Sequence, residues 1–247
     1  LIKITPSELK ILLAAGATAG MSAIFGSPLA AILLAIELLL FEFSARSFIP
    51  VALACITGAA GHHLLFEEGV VFPLSFQLQP SSNYALLFYA TMGIVIGLIS
   101  VIVTKVVYWI EDVFEKLPIH WAWWPAIGGI AVGVVGFFSP RTLGVGYSNI
   151  TDLLTGTMPM QVVLSLCILK FVSWAISLGS GTSGGTLAPL LTIGGATGAL
   201  IGGIGMFWFP NSGINIPLSV LVGMSAMFAG ASRAFMTSIV FALETTG

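Results

Sequence analysis

The run GSGTSGGTLAPLL at positions 179–191 combines glycines and hydroxyl side chains and carries no charge. Its residue types allow three kinds of chemistry. Ser183 could act as a nucleophile, provided a histidine lies within hydrogen-bond reach; the histidines, His62, His63 and His120, all precede it. Alternatively, a glycine-rich segment leading into a helix leaves N–H groups unpaired at the positive end of the helix dipole, where they hold an anion without a fixed cation. Binding of that moderate kind also lets the ion leave, as conduction requires. The third reading is packing, since Gly194, Gly198 and Gly202 recur at four-residue spacing in GGATGALIGG and would bring helices close. Packing accounts for the glycines after Pro189. It accounts poorly for GSGTSGG, whose N–H groups need partners once buried among apolar helices.

The elements that must position these residues are set by an unusual composition. From 171 to 232 there is no Asp, Glu, Lys or Arg, and over the whole chain 57% of residues are hydrophobic and 7% charged. Soluble domains carry about 25% charged residues. Mean hydropathy is +1.06. The uncharged segments 11–36, 47–66, 69–104, 117–140 and 153–169 are each long enough to span ~30 Å of hydrocarbon as helix. Continuous apolar runs such as GIVIGLISVIV (93–103) lack the alternation of a membrane barrel. The fold class is therefore all-α, a polytopic helical membrane protein, multi-pass in an inner or plasma membrane. A net charge of −2 with no basic cluster excludes a nucleic-acid surface. Lys and Arg are too sparse for the positive-inside rule to set orientation. Cys55 and Cys167 stand alone in apolar segments and read as small buried hydrophobes. No metal or cofactor is expected. The chain begins at Leu1 without Met and stops straight after an apolar run, which reads as part of a longer protein.

Along the chain, TPSELK (5–10) is a helix start with Thr5 as N-cap, Pro6 at the first position and Glu8 at the third. That helix should end near Phe25 at GSP (26–28), and a second should follow Pro28. Neither half is a comfortable span alone, which predicts short, tilted or broken helices. Next come a span near 48–66, a loop rich in Pro, Ser and Gln (73–82), and one very long helix over 84–117. WAWWP (121–125) reads as an interfacial anchor or as packing aromatics. The helix after Pro125 ends at a polar loop, SPRTLGVGYSNI (139–150), and helices flank the glycine-rich run. SPLAAILLAIE (27–37) aligns with AFMTSIVFALE (234–244) at an offset of 207, which brings Glu37 onto Glu244. GMSAIF (20–25) also matches GMSAMF (223–228), with AGAS accommodated before the second helix. Interrupted apolar segments in two halves point to an inverted repeat. Glu37 is a functional candidate, as intramembrane acids are, or marks a helix end near water beside Glu42 and Arg46. Glu244 and Arg233 read as a structural pairing or an interface position.

GSGTSGGTLAP resembles the Ser-Gly-x-x-Gly-Gly-x-Phe-x-Pro segment of the CLC chloride channels and transporters. AGATAGMSAIFGSPLAAILLAIELL (15–39), GVGY (144–147) and GMSAMFAGASRAFMTSIVFALETT (223–246) resemble further segments of that family, in the same order. The resemblance implies a CLC-type inverted repeat, with the end of a first repeat at about 1–68 and most of a second at about 82–247. It implies transmembrane transport of chloride or a similar anion, contact with membrane lipid, and a homodimer in the full-length protein. Segments 29–66 and 234–246 would contribute to the dimer interface. By the same resemblance, the backbone N–H groups of Thr186 and Leu187 contact the anion, Gly184 and Gly185 permit its close approach, and Pro189 fits an early helical turn. Leu187 stands where the family has Phe. At Glu37 the family's exchangers have two successive acids, the second of which moves protons internally; here that position is Leu38. This departure favours a channel of the voltage-gated type without strict proton coupling over the alternative, a chloride/proton antiporter. The family's gating Glu and C-terminal Tyr have no counterpart in this chain. GTSG (181–184) also fits the Gly-x-Ser-Gly of rhomboid intramembrane serine proteases, a remote alternative; otherwise no enzyme activity is expected.

Overall fold

The computed structural model of the chain describes residues 4–65, 71–72, 82–210 and 212–246. The loop expected at 73–82 lies outside them except for Ser82. Among the described residues every regular element is helical. The chain divides into two compact units, residues 1–74 with 232–247, and residues 75–231.

In the first unit, α1 (Pro6–Phe25) starts on a capping box: the Thr5 hydroxyl accepts from the Glu8 amide and the Glu8 carboxylate accepts from the Thr5 amide. It ends on Gly26 at φ +61°, whose N–H donates to Ser22 O. Glycine suits that left-handed turn because it has no Cβ to clash. With its charged first turn included, α1 has 20 residues and is long enough to cross a membrane by itself, contrary to the expectation for this half. The helix starts at Pro6, before the uncharged run at Ile11. α2 (Pro28–Leu34) continues as a π-helical stretch, Ala35–Leu40. α3 (Ala45–Leu65) lies against α1, where the Ser22 hydroxyl donates to Cys55 O at 2.7 Å. A Cβ at Gly58 would meet Ala19 O at 2.5 Å, so only glycine permits this approach. α10 (Phe235–Thr246) completes the unit, its Phe241 ring edge-on to Phe25 at 5.0 Å.

In the second unit, α4 (Asn83–Glu115) is capped by the Ser82 hydroxyl and has 33 residues. At 1.5 Å per residue it outlasts the hydrocarbon, and its charged end Glu111–Glu115 can reach water. α5 (Trp124–Phe138) follows a 3-10 turn at Trp121–Trp123. The polar stretch 139–150 is more ordered than expected. It holds a 3-10 turn, Pro140–Thr142, and the start of α6 (Tyr147–Leu154). Segment 153–169 is not one span either, because Gly156 at φ +67° and Pro159 end the helical path before α7 (Met160–Gly179). α8 (Leu187–Trp208) and α9 (Ile216–Ser232) follow.

α8 and α9 meet along a glycine seam. A Cβ at Gly194 would come within 2.6 Å of Gly223 O, and one at Gly223 within 2.8 Å of the Gly198 Cα. Dispersion then acts between backbones at close range, as the four-residue spacing implied. AGAS (229–232) lies inside α9 and not in a loop. The GMSAIF/GMSAMF match is therefore one helical turn out of register with the backbone. Four residues make slightly more than one turn, so sequence similarity survives the slip.

Among the described residues six helical segments are long and apolar enough to cross a membrane: α1, α3, α4, Trp121–Phe138, α7 and α8. Large apolar side chains point outward along them, with Leu64 85%, Phe137 83% and Phe207 83% exposed. Water does not favour such a surface, whereas lipid accepts it. The chain is an integral, multi-pass membrane protein.

Candidate functional site at the start of α8

α7 closes with its own hydroxyls. Ser180 Oγ donates to Ser177 O at 2.6 Å, Thr182 Oγ1 donates to the same carbonyl, and Gly181, at φ +78°, donates its N–H to Leu178 O. The hydroxyls of Ser180 and Thr182 are thereby engaged. Ser183, Gly184, Gly185 and Thr186 then cross exposed to the start of α8. Thr186 is the N-cap but makes no side-chain cap bond. Among the described residues, the N–H groups of Thr186, Leu187 and Ala188 have no hydrogen-bond acceptor, and the first bond of the helix is Leu190 N–H to Thr186 O. Pro189 at the third helical position has no N–H to satisfy, so the turn loses nothing there. What remains is a set of free amides at the positive end of a 22-residue helix. No acid or base lies between Lys170 and Arg233 in sequence. Such an end attracts an anion by dipoles alone. Gly184 and Gly185 have open space where a Cβ would be. Ser183 makes no hydrogen bond to a histidine among the described residues, so the nucleophile–base pair of a protease is not assembled.

The acids at the other candidate positions behave differently. The Glu37 carboxylate accepts from Met236 N–H at 3.0 Å and from Thr237 N–H at 2.9 Å and Oγ1 at 2.7 Å. Glu244 accepts from Leu29 N–H at 3.1 Å and Ala30 N–H at 2.8 Å. Each acid thus sits on the first turn of the other acid's helix, and α2 and α10 run antiparallel, as an inverted repeat demands. Leu38 is half-buried in the π-helical stretch beside Glu37.

One residue was not singled out from sequence. Lys170 on α7 is buried, 5% exposed, and its Nζ donates to Thr142 O at 2.8 Å and Gly144 O at 2.9 Å. Among the described residues no carboxylate lies within 4.0 Å of it. Its ammonium holds the GVGY turn: a Cβ at Gly146 would meet Lys170 Nζ at 3.6 Å and Thr192 Oγ1 of α8 at 3.8 Å. The signal was present, since Lys170 is the only charged residue between Asp152 and Arg233, and an isolated intramembrane charge is a functional candidate.

Comparison with known proteins follows the same lines. The family model described as voltage gated chloride channel matches residues 1–247. The H(+)/Cl(-) exchange transporter ClcA of Yersinia pestis bv. Antiqua (strain Angola) is 30% identical over 250 residues, covering 98% of this chain and 52% of that protein. The voltage-gated ClC-type chloride channel ClcB of Escherichia coli O17:K52:H18 (strain UMN026 / ExPEC) is 30% identical over 249 residues, covering 99% of this chain and 59% of that protein. The chain therefore spans little more than half the length of these curated relatives. The crystal structure of a slow cyanobacterial Cl-/H+ antiporter superimposes with a TM-score of 0.86 at 22% identity, covering 98% of this chain and 57% of that one, a likeness of fold.

Proposed function

The chain belongs to the voltage gated chloride channel family, and we propose that it forms part of a pathway carrying chloride or a similar small anion across the membrane, as a transporter and not an enzyme. The observation that carries this reading is the start of α8, where among the described residues the N–H groups of Thr186 and Leu187 are free and the surrounding stretch 171–232 has no charged residue. Amide dipoles bind an anion firmly enough to admit it and weakly enough to release it. Gly184 and Gly185 leave room for the ion, and Pro189 keeps the first turn free of an unneeded donor.

Leu38 supports channel-type conduction without strict proton coupling. A leucine cannot take up a proton, and Glu37 is engaged on α10. The relatives named as an exchange transporter and as a channel match this chain equally well, so the antiporter is the second reading. In the membrane the exposed apolar faces meet lipid. The outward residues of 29–66 and 234–246, among them Leu53, Ile56, Ile239 and Leu243, supply a surface for a homodimer of the full-length protein.

The test is to reconstitute the full-length protein carrying this chain in liposomes, impose a chloride gradient and record proton movement at zero net current. Chloride flux without uphill proton transport is the expected result. Proton pumping at a fixed ratio to chloride would establish the antiporter. Absence of anion flux in a folded preparation would end the proposal.

A further inference from the structure

The backbone keeps the repeat in register further than the side chains do. At the offset of 207, Gly26 corresponds to Arg233, and both adopt φ +61°. Arg233 thus holds a left-handed conformation that L residues rarely adopt, immediately before α10. Ser27 corresponds to Ala234 at the N-cap, and Glu244 and Glu37 each take the second and third amides of the opposite helix. Those are the two donors that an N-cap side chain would satisfy. Ala234 has no side chain able to do so. Ser27 has one, but its Oγ is fully buried without a partner, because Glu244 already holds both donors. Two helix starts have dispensed with local caps and depend on a carboxylate from the far end of their counterpart.

We propose that Glu37 and Glu244 are a reciprocal pair of positioning residues: each carboxylate is a built-in anion that closes the helix start of the opposite repeat, and the two together lock α2 against α10. Glu37 is in this way an acceptor for three donors, out of roughly four lone-pair sites on a carboxylate, and not a carrier of protons. Adding a proton to Oε2 would set an O–H against the Thr237 N–H, from which that oxygen now accepts. The inference rests on the hydrogen-bond geometry; its stability readout stands apart from the transport reading, and only its pH readout rests on that reading.

The experiment uses the full-length protein carrying this chain, with Glu37→Ala, Glu244→Ala, the double variant, the isosteric Glu37→Gln and Glu244→Gln, and Glu42→Ala as a control. Each single alanine variant should lower the unfolding midpoint by about 2–4 °C and by similar amounts. The double variant should lose less than the sum, since a lock already opened at one end has less to lose at the other. Glu42→Ala should leave the midpoint where it is. The pH profile of anion efflux should be the same for the parent and Glu37→Gln. Full additivity, or an unchanged midpoint in Glu244→Ala, would overturn the reciprocal lock. A displaced pH profile in Glu37→Gln would make Glu37 a titrating group and overturn the proposal from the other side. Should an alanine variant fail to fold, the glutamine variants and their double carry the same comparison, because they keep the volume and one acceptor oxygen.

Discussion

The start of α8 and the starts of α2 and α10 are the same physical object in opposite states. Each is the first turn of an apolar helix with amides that the helix cannot satisfy. At α2 and α10 a remote carboxylate fills the gap. At α4 a neighbouring hydroxyl, Ser82, does so locally. At α8 no group among the described residues does, although Thr186 occupies the N-cap. An uncapped end costs free energy, so a helix that keeps one must be held by other means. α8 is held along its length, by glycines that let α9 approach to backbone contact. Capping secures α1, α2, α4 and α10, and lateral packing secures α8, whose first amides are left available.

The comparison breaks most severely at the seam. Gly198→Leu would drive a side chain into the Ser219 carbonyl. We expect a loss of more than about 3 kcal/mol, read as failure to recover monodisperse protein in detergent. Normal recovery would mean that α8 is not anchored by this face. Lys170→Met comes next. It strands the Thr142 and Gly144 carbonyls and should cost about 1–3 kcal/mol, seen as a lower unfolding midpoint, while Lys170→Arg should recover part of it. If Lys170→Met were neutral, the GVGY turn would have to be held by something else.

Replacing the Leu187 amide by an ester removes one N–H and leaves every side chain in place. Anion affinity in the full-length protein should fall roughly tenfold or more, as expected for loss of a hydrogen bond to an ion, with little change in stability. The reverse pattern, lower stability and unchanged affinity, would make the start of α8 one more structural end. The smallest effect belongs to the local cap. Ser82→Ala should cost about 1 kcal/mol and leave anion flux untouched, which a thermal melt and an efflux assay check together.

Much of the helical path is legible in the amino-acid sequence because its signals are local. Thr5, Pro6 and Glu8 form a capping box from adjacent residues, and Gly26 with Pro28 breaks a helix wherever the rest of the chain lies. α6 is hidden because Gly144 and Gly146 make 139–150 look like loop, whereas the helix there lies against α8 and is completed by the turn that Lys170 anchors. The repeat is visible, but its GMSAIF match is one turn out of register, since a helix presents similar faces four residues apart.

The sequence by itself determined the solvent and the chemistry of the candidate site. A chain with 7% charged residues must place its helices in lipid, and a glycine-rich uncharged run entering a helix must present amides. That α2 and α10 start on remote carboxylates could not be read from sequence. Glu37 and Met236 are 199 positions apart, and Glu244 and Leu29 are 215 apart. An acid in an apolar run looks the same whether it meets water, a proton or a distant amide. Only the antiparallel pairing of α2 with α10 brings each carboxylate to its donors, because hydrogen bonds act over about 3 Å and chain separation says nothing about distance in space.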